Sequence, residues 1–214
     1  MFKHPFNAIV AGPTGCGKTY FVRELLRNHQ QLITGIAKPL KVLWAYGQWQ
    51  SLYTSHIQGI NITYNEGLPS KTLLVKFKPT ICVVDDLMTE VASSREMTNM
   101  FTRLSHHLGV SVIFIAQNIF YKGSEMRTIN LNAHYLILFR NPRDESQIDY
   151  VGRQVTPRGW PRKFFDEIFD DATSFPFGYL LVDCKPDTMV KDKFKTRIFK
   201  SEGHTIFYQP CLRI

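Results

Sequence analysis

The stretch Gly12-Pro13-Thr14-Gly15-Cys16-Gly17-Lys18-Thr19 constrains this chain more than any other part of it. It matches G-x-x-x-x-G-K-[ST] at every specified position, and average residue usage makes a chance match in 214 residues an event of about one per cent. Its surroundings agree. Asn7 to Ala11 is an apolar run of strand length, and Lys18 to His29 carries Phe21, Val22, Leu25 and Leu26 at helical spacing. A glycine-rich turn between strand and helix lets successive backbone N–H groups converge on phosphate oxygens, and the helix N-terminus adds positive potential there. The ligand this predicts is ATP, cradled by Gly12, Pro13, Thr14, Gly15, Cys16, Gly17, Lys18, Thr19 and the adjoining Tyr20. Lys18 is expected to reach the β- and γ-phosphates, and the Thr19 hydroxyl to ligate Mg²⁺.

Such a loop needs an acid from a neighbouring strand. Ile81-Cys82-Val83-Val84-Asp85-Asp86 supplies one, because its apolar residues bury a strand whose C-terminal end carries the carboxylates, where open α/β sheets place their ligands. Asp85 is assigned to the metal. Asp86 is the candidate that polarises an attacking water, although aspartate is one methylene shorter than the glutamate more common in that role, and aspartate also favours helix N-caps. Ser111 to Ala116 is another buried run, ending in Gln117, whose amide is placed to touch both a γ-phosphate and the water. Asn141-Pro142-Arg143-Asp144 superficially matches a guanine-reading N-K-x-D, but proline replaces the lysine and Asp85-Asp86-Leu87-Met88 has no glycine for D-x-x-G. The residues therefore argue against a guanine switch.

Further runs at Lys41 to Ala45, Ile60 to Tyr64 and Tyr135 to Phe139 read as strands, with a helical stretch from roughly Ser94 to Leu108. Alternating strands and helices predict an α/β fold, a three-layer P-loop NTPase sandwich with a mostly parallel sheet. After helical segments near Glu145 to Gln154 and Lys163 to Phe169, the runs Gly178 to Asp183, Lys193 to Lys200 and Thr205 to Gln209 predict antiparallel C-terminal additions. No repeat or linker divides residues 1–214, so a single domain is expected. Trp44, Tyr46 and Trp49 read as core and hairpin packing, and the basic run Lys185 to Lys200 as a solvated face.

A formal net charge of +8 favours polyanionic partners. Cys16, Cys82, Cys184 and Cys211 form no C-x-x-C pair, and His106 and His107 are adjacent, so neither a zinc site nor a disulfide framework is expected. No apolar run approaches membrane-spanning length, and the N-terminal residues enter a strand too soon for a signal peptide. An intracellular protein without a membrane partner is expected.

The segments GPTGCGKT, ICVVDDLM, IFIAQN and LNAHYLILFRNPRDESQI, in that order between about Phe6 and Tyr179, resemble the genome-packaging ATPases of the FtsK–HerA superfamily. The likeness is to compact forms in Maverick/Polinton elements, adintoviruses and virophages, related to the poxvirus packaging ATPase. It implies a homo-oligomeric ring that drives double-stranded DNA into a viral capsid, at a portal-like vertex, in the host nucleus or cytoplasm where virions assemble. It also implies an arginine acting on a neighbour's γ-phosphate. Arg95, Arg103, Arg127, Arg140 and Arg143 are the candidates, with Arg127 the first choice and Arg143 the second. Phe120-Tyr121-Lys122 is a candidate for the pore lining. A P-loop kinase of nucleosides or other small molecules, or a nucleotide switch without motor activity, would share the same loop.

Overall fold

The computed structural model describes residues 1–36, 39–94, 98–99, 101, 108–120, 124–161 and 163–211. The apolar runs become strands β1 (Phe2–Lys3), β2 (Asn7–Ala11), β3 (Ile33–Thr34), β4 (Lys41–Tyr46), β5 (Asn61–Glu66), β6 (Ile81–Asp85), β7 (Ser111–Ala116), β8 (Tyr135–Phe139), β9 (Tyr179–Asp183), β10 (Phe194–Thr196) and β11 (Ile206–Tyr208). Short strands β1 and β3 pair with each other. Among the described residues the others form one sheet in the order β11-β10-β9-β8-β2-β7-β6-β4-β5. From β8 to β5 every pairing is parallel, whereas β9, β10 and β11 add antiparallel at the other edge.

Every residue of β2, β6, β7 and β8 is buried, as strands covered on both faces require. Side chains alternate between faces. Ile9, Val84, Val112 and Phe114 meet Val91, Ile129, Val151 and Phe165 on one side, the side of the helices Met88–Ser93, Ser124–Leu131, Ser146–Val155 and Phe164–Ala172. On the other side Val10, Trp44, Val83 and Ile115 meet Phe21, Val22, Leu25 and Leu26 of helix α1 (Lys18–Arg27), together with Tyr53 and Phe199. The result is helices, sheet and helices in three layers. No described helix is long and apolar enough to cross a membrane.

Several local expectations change. The pairing of β4 with β5 is parallel, so Tyr46 and Trp49 belong to no hairpin. They join Tyr53 and Tyr64 in an aromatic cluster with ring centroids 5.2 to 5.8 Å apart along its contacts. The ladder expected over Lys193 to Lys200 stops at Thr196, because Arg197 turns left-handed (φ 53°) before a 3₁₀ turn at Lys200–Glu202. Within that basic run Lys195 points inward, is 4% exposed and lies 3.9 Å from buried Asp183, so this lysine is no part of a solvated face. Of the helix expected over Ser94 to Leu108, residues 95–97, 100 and 102–107 lie outside the described residues, as do Tyr121 and Lys122. Helix Lys71–Phe77 was not expected; Ser70 caps it by accepting from the Leu73 N–H.

Phe165 concentrates the packing of the first helical layer. It stacks on Phe169, meets Phe194 edge to face at 5.9 Å, and leaves so little room that a Cβ on Gly152 would fall 2.7 Å from its ring. Truncation of such a residue removes its burial and leaves a cavity, at about 3–5 kcal/mol. Phe165→Ala is expected to lose that much stability in urea titrations, while Val75→Ala, at a site 45% exposed, changes it by less than about 0.5 kcal/mol.

Candidate functional site

The parallel strands β2, β6 and β7 all end at one edge of the sheet, and the chemistry-bearing residues follow them there. After β2 the chain turns through the glycine-rich loop. The Gly12 N–H donates to the Ala116 carbonyl at 3.2 Å, tying the loop to the end of β7. A Cβ at Gly12 would lie 2.6 Å from Phe139 Cβ, so only glycine passes β8 here. Gly15 (φ 80°) and Gly17 (φ 101°) hold left-handed conformations that a side chain strains. Gly17 is the N-cap of α1 without any side-chain capping bond, so the N–H groups of the first turn remain directed out of the helix end. Thr14, Gly15 and Tyr20 are exposed at the mouth of the loop, and Pro13 and Cys16 are half-buried in it.

Lys18 is buried against this loop and its Nζ donates to the carbonyls of Gly12 and Pro13, each at 2.7 Å. Burial pushes its pKa down, while Cys16, Asp85 and Asp86 pull it up. Thr19 reaches across to β6: its hydroxyl donates to Asp85 Oδ2 at 3.3 Å. A second hydroxyl meets the same oxygen, from Tyr53 at 2.7 Å. Asp85 is 2% exposed, and burial raises its pKa against the lowering effect of these two bonds. The same burial and the neighbouring carboxylate push the Tyr53 phenol far above its ordinary range, so it stays a donor.

Asp86 leaves the strand in a left-handed conformation (φ 57°), and the N-cap of the following helix is Leu87. Its Oδ1 accepts from Gln117 Nε2 at 2.9 Å. The amide thus spends its side chain on the second carboxylate rather than on backbone groups at the strand end. A cavity of about 430 Å³ opens over this ensemble, bounded by Lys18, Thr19, Asp85, Asp86 and Gln117, with Tyr20 of α1 and with Gln48 and Leu52 from the segment after β4. Gly47 makes the geometry possible, since a Cβ there would fall 2.4 Å from the Asp86 carbonyl oxygen.

Of the candidate arginines, none of the described three, Arg127, Arg140 and Arg143, lines this cavity. Arg127 is exposed in the middle of helix Ser124–Leu131, and Arg143 is exposed in the turn after β8. Arg140 is engaged by Asp170 and Thr173. Arg95 and Arg103 lie outside the described residues. Tyr53 and Gly47 were not singled out from the sequence. Tyr53 sits in a 3₁₀ turn (Ser51–Thr54) with no motif around it, and it reaches Asp85 only because β4 and β6 are neighbours.

No protein-family model matches the chain, and no curated protein sequence does. Solved structures do. The chain is similar to the genome packaging NTPase B204 from Sulfolobus turreted icosahedral virus 2 in complex with ATP-gammaS, at 11% identity and a TM-score of 0.56 over 97% of this chain and 98% of that one. The AMP complex of that protein gives 12% identity and a TM-score of 0.54 over 91% and 96%. B204, the DNA-packaging ATPase from Sulfolobus Turreted Icosahedral Virus, gives 10% and 0.56 over 97% and 98%. The fold is that of the P-loop NTPases. Its antiparallel strands lie at the edge away from Asp85.

The buried carboxylate has a consequence for stability. A carboxyl group whose folded pKa is raised holds its proton more tightly folded than unfolded, so it reduces stability as pH rises from the unfolded pKa upward. Asp85→Asn keeps an oxygen for both hydroxyls and removes the charge. It is expected to unfold at higher urea concentration than the parent at pH 7, with the difference shrinking towards zero below the ordinary carboxyl value of 3.8. Chemical denaturation at a series of pH values checks the sign.

Proposed function

We propose that this protein binds and hydrolyses Mg²⁺-ATP and uses the reaction to move double-stranded DNA into a viral capsid as a ring of identical subunits. The observation that carries the catalytic half is the pair of contacts made at one sheet edge: Thr19 to Asp85 at 3.3 Å and Gln117 to Asp86 at 2.9 Å. They divide the acids by role. Asp85, buried and shared by two hydroxyls, is a fixed anchor, whereas Asp86 lines the cavity beside an exposed amide.

Lys18 supplies the cation for the β- and γ-phosphates, and the loop from Gly12 to Thr19 supplies backbone donors. Thr19 and Asp85 fit Mg²⁺, which takes hard oxygen donors, uses few from protein and keeps much of its water. When bound, the ion neutralises charge on the β- and γ-phosphate oxygens. Asp86 orients and deprotonates the attacking water, and Gln117, bonded to Asp86, couples that carboxylate to the γ-phosphate position. The motor half rests on the net charge of +8, which suits sequence-independent contact with phosphate backbones, and on the resemblance to packaging ATPases. The similar solved structures include two whose protein is called a genome packaging or DNA-packaging enzyme, which supports the same reading.

Lys18→Ala is expected to abolish turnover, because the phosphates lose their cation in a water-poor site. Asp86→Asn is expected to bind ATP and not hydrolyse it. Long duplex DNA is expected to stimulate the parent rate, and both the stimulation and DNA binding should weaken steeply with salt without preference for sequence. Hydrolysis assays with and without DNA, beside nucleotide titrations of each variant, decide the matter. A rate indifferent to DNA points instead to the small-molecule kinase.

Arg127 is assigned to the neighbouring subunit's site, consistent with its exposure and with its absence from the lining of its own chain's cavity. Fingers supplied in trans are worth roughly a thousandfold or more in rate. Arg127→Ala and Asp86→Asn should each be nearly inactive alone, and mixing them should restore activity at interfaces that pair an intact Arg127 with an intact Asp86. Normal turnover by Arg127→Ala would transfer the role to Arg143.

A further inference from the structure

Four non-glycine residues among those described hold positive φ: Lys78, Asp86, Phe177 and Arg197. Lys78 closes a helix and Asp86 belongs to the carboxylate pair. Phe177 (φ 64°) and Arg197 (φ 53°) have no such explanation, yet both line one cavity of about 240 Å³. For a bulky residue this conformation costs backbone energy, and it persists where the surrounding structure over-determines it. Here the fixing element is a turn before β9. The Gly178 N–H donates to the Phe175 carbonyl at 2.9 Å, and a Cβ at Gly178 would fall 2.6 Å from the Ala172 carbonyl oxygen.

That turn projects two aromatic rings into solvent, Phe175 at 58% exposure and Phe177 at 66%. Phe175 is braced by the Arg197 guanidinium, 4.8 Å above its ring. Phe177 touches the phosphate loop, because a Cβ placed on Gly17 would lie 3.0 Å from its Cδ1. The contact arises from topology. β9 runs antiparallel to β8 with Tyr179 opposite Phe139, so the segment entering β9 lies at the same sheet edge as the loop leaving β2.

The direction of a bound nucleotide follows from the strand order. Its γ-phosphate end belongs with Asp86 and Gln117, on the β6 and β7 side of β2. A triphosphate wrapped by the loop then delivers the nucleoside to the other side, where β8 and β9 lie and where Phe177 stands. Tyr20, the other exposed aromatic at this helix end, lines the cavity that holds Asp86 and Gln117.

We infer that the Phe177 ring is the stacking platform for the nucleobase, in a subsite completed by Phe175 and Arg197, and that it selects purine nucleoside triphosphates by their larger π-surface. The inference rests on the ATP-binding reading above and deepens it. Stacking accepts any base with a π-face and favours the more extended ones, so ATP and GTP bind comparably and CTP and UTP more weakly.

The test is calorimetric titration of the full chain with Mg²⁺-ATP and, separately, with inorganic tripolyphosphate, which has phosphates and no base. Phe177→Ala should weaken ATP about tenfold, a change of about 1.4 kcal/mol, and leave tripolyphosphate unchanged. Phe177→Trp should restore ATP affinity. Since the side chain is two-thirds exposed, its truncation removes little packing. Equal ATP affinity in Phe177→Ala and parent overturns the platform, as does equal weakening of ATP and tripolyphosphate. Loss of the ATP preference in Tyr20→Ala, with Phe177→Ala unaffected, places the base on the other side and also overturns it. A parent protein that binds neither compound overturns the ATP-binding reading itself, a result distinct from the first three.

Discussion

The carboxylate of Asp85 is the point to which the site is tied. An ionised carboxylate taken out of water is costly unless its lone pairs find donors. Here one oxygen collects two hydroxyls, Thr19 from α1 and Tyr53 from the turn after β4. That oxygen therefore joins three pieces of chain distant in sequence, and the helix that follows the phosphate loop cannot shift along the sheet without breaking one of these bonds. The phenol's raised pKa means that this restraint does not titrate near neutral pH. The opposing effects on Asp85 leave burial dominant, so the site is held at a cost in stability, as functional positions often are.

Around this anchor, close approach of backbones is what glycine supplies. Gly12 lets the loop pass β8, and Gly47 lets the end of β4 lie against the Asp86 carbonyl. Both are required by distance rather than by φ. Neither position has room for a methyl group beside immovable backbone or a packed ring, so the loop and the acids cannot be displaced outward to admit one.

Much of this was legible beforehand, for a physical reason. Phosphate cradles are local: Gly12 to Thr19 sit in one turn, and a buried strand ending in acid announces itself by its own apolar run, as Ile81 to Asp85 does. The strand boundaries for β2, β7 and β8 follow from the same continuous hydrophobicity. What escaped depends on long-range placement. Tyr53 is separated from Asp85 by 32 residues and carries no pattern of its own. Phe177 lies 160 positions beyond the glycine it touches, in a segment to which the sequence alone assigned no role. Lys195 looked solvated because its neighbours are basic, and only the antiparallel pairing of β10 with β9 turns it towards Asp183.

The use of aspartate at position 86, where glutamate is commoner in ATPases, has an explanation in the backbone. The residue sits in the left-handed region, which short polar side chains such as Asp and Asn tolerate better than longer ones because they add little bulk near the following carbonyl. The chain needs that turn. It reverses direction between the end of β6 and the helix starting at Met88 while its carbonyl rests against Gly47. A glutamate there would gain reach at the expense of backbone conformation, whereas aspartate accepts the conformation and lacks a methylene. The lost reach is made up by the exit angle, which aims the carboxylate into the cavity and onto Gln117 at 2.9 Å. Strain at one residue and shortness of its side chain therefore compensate each other in the contact with the amide of Gln117, just past the end of β7.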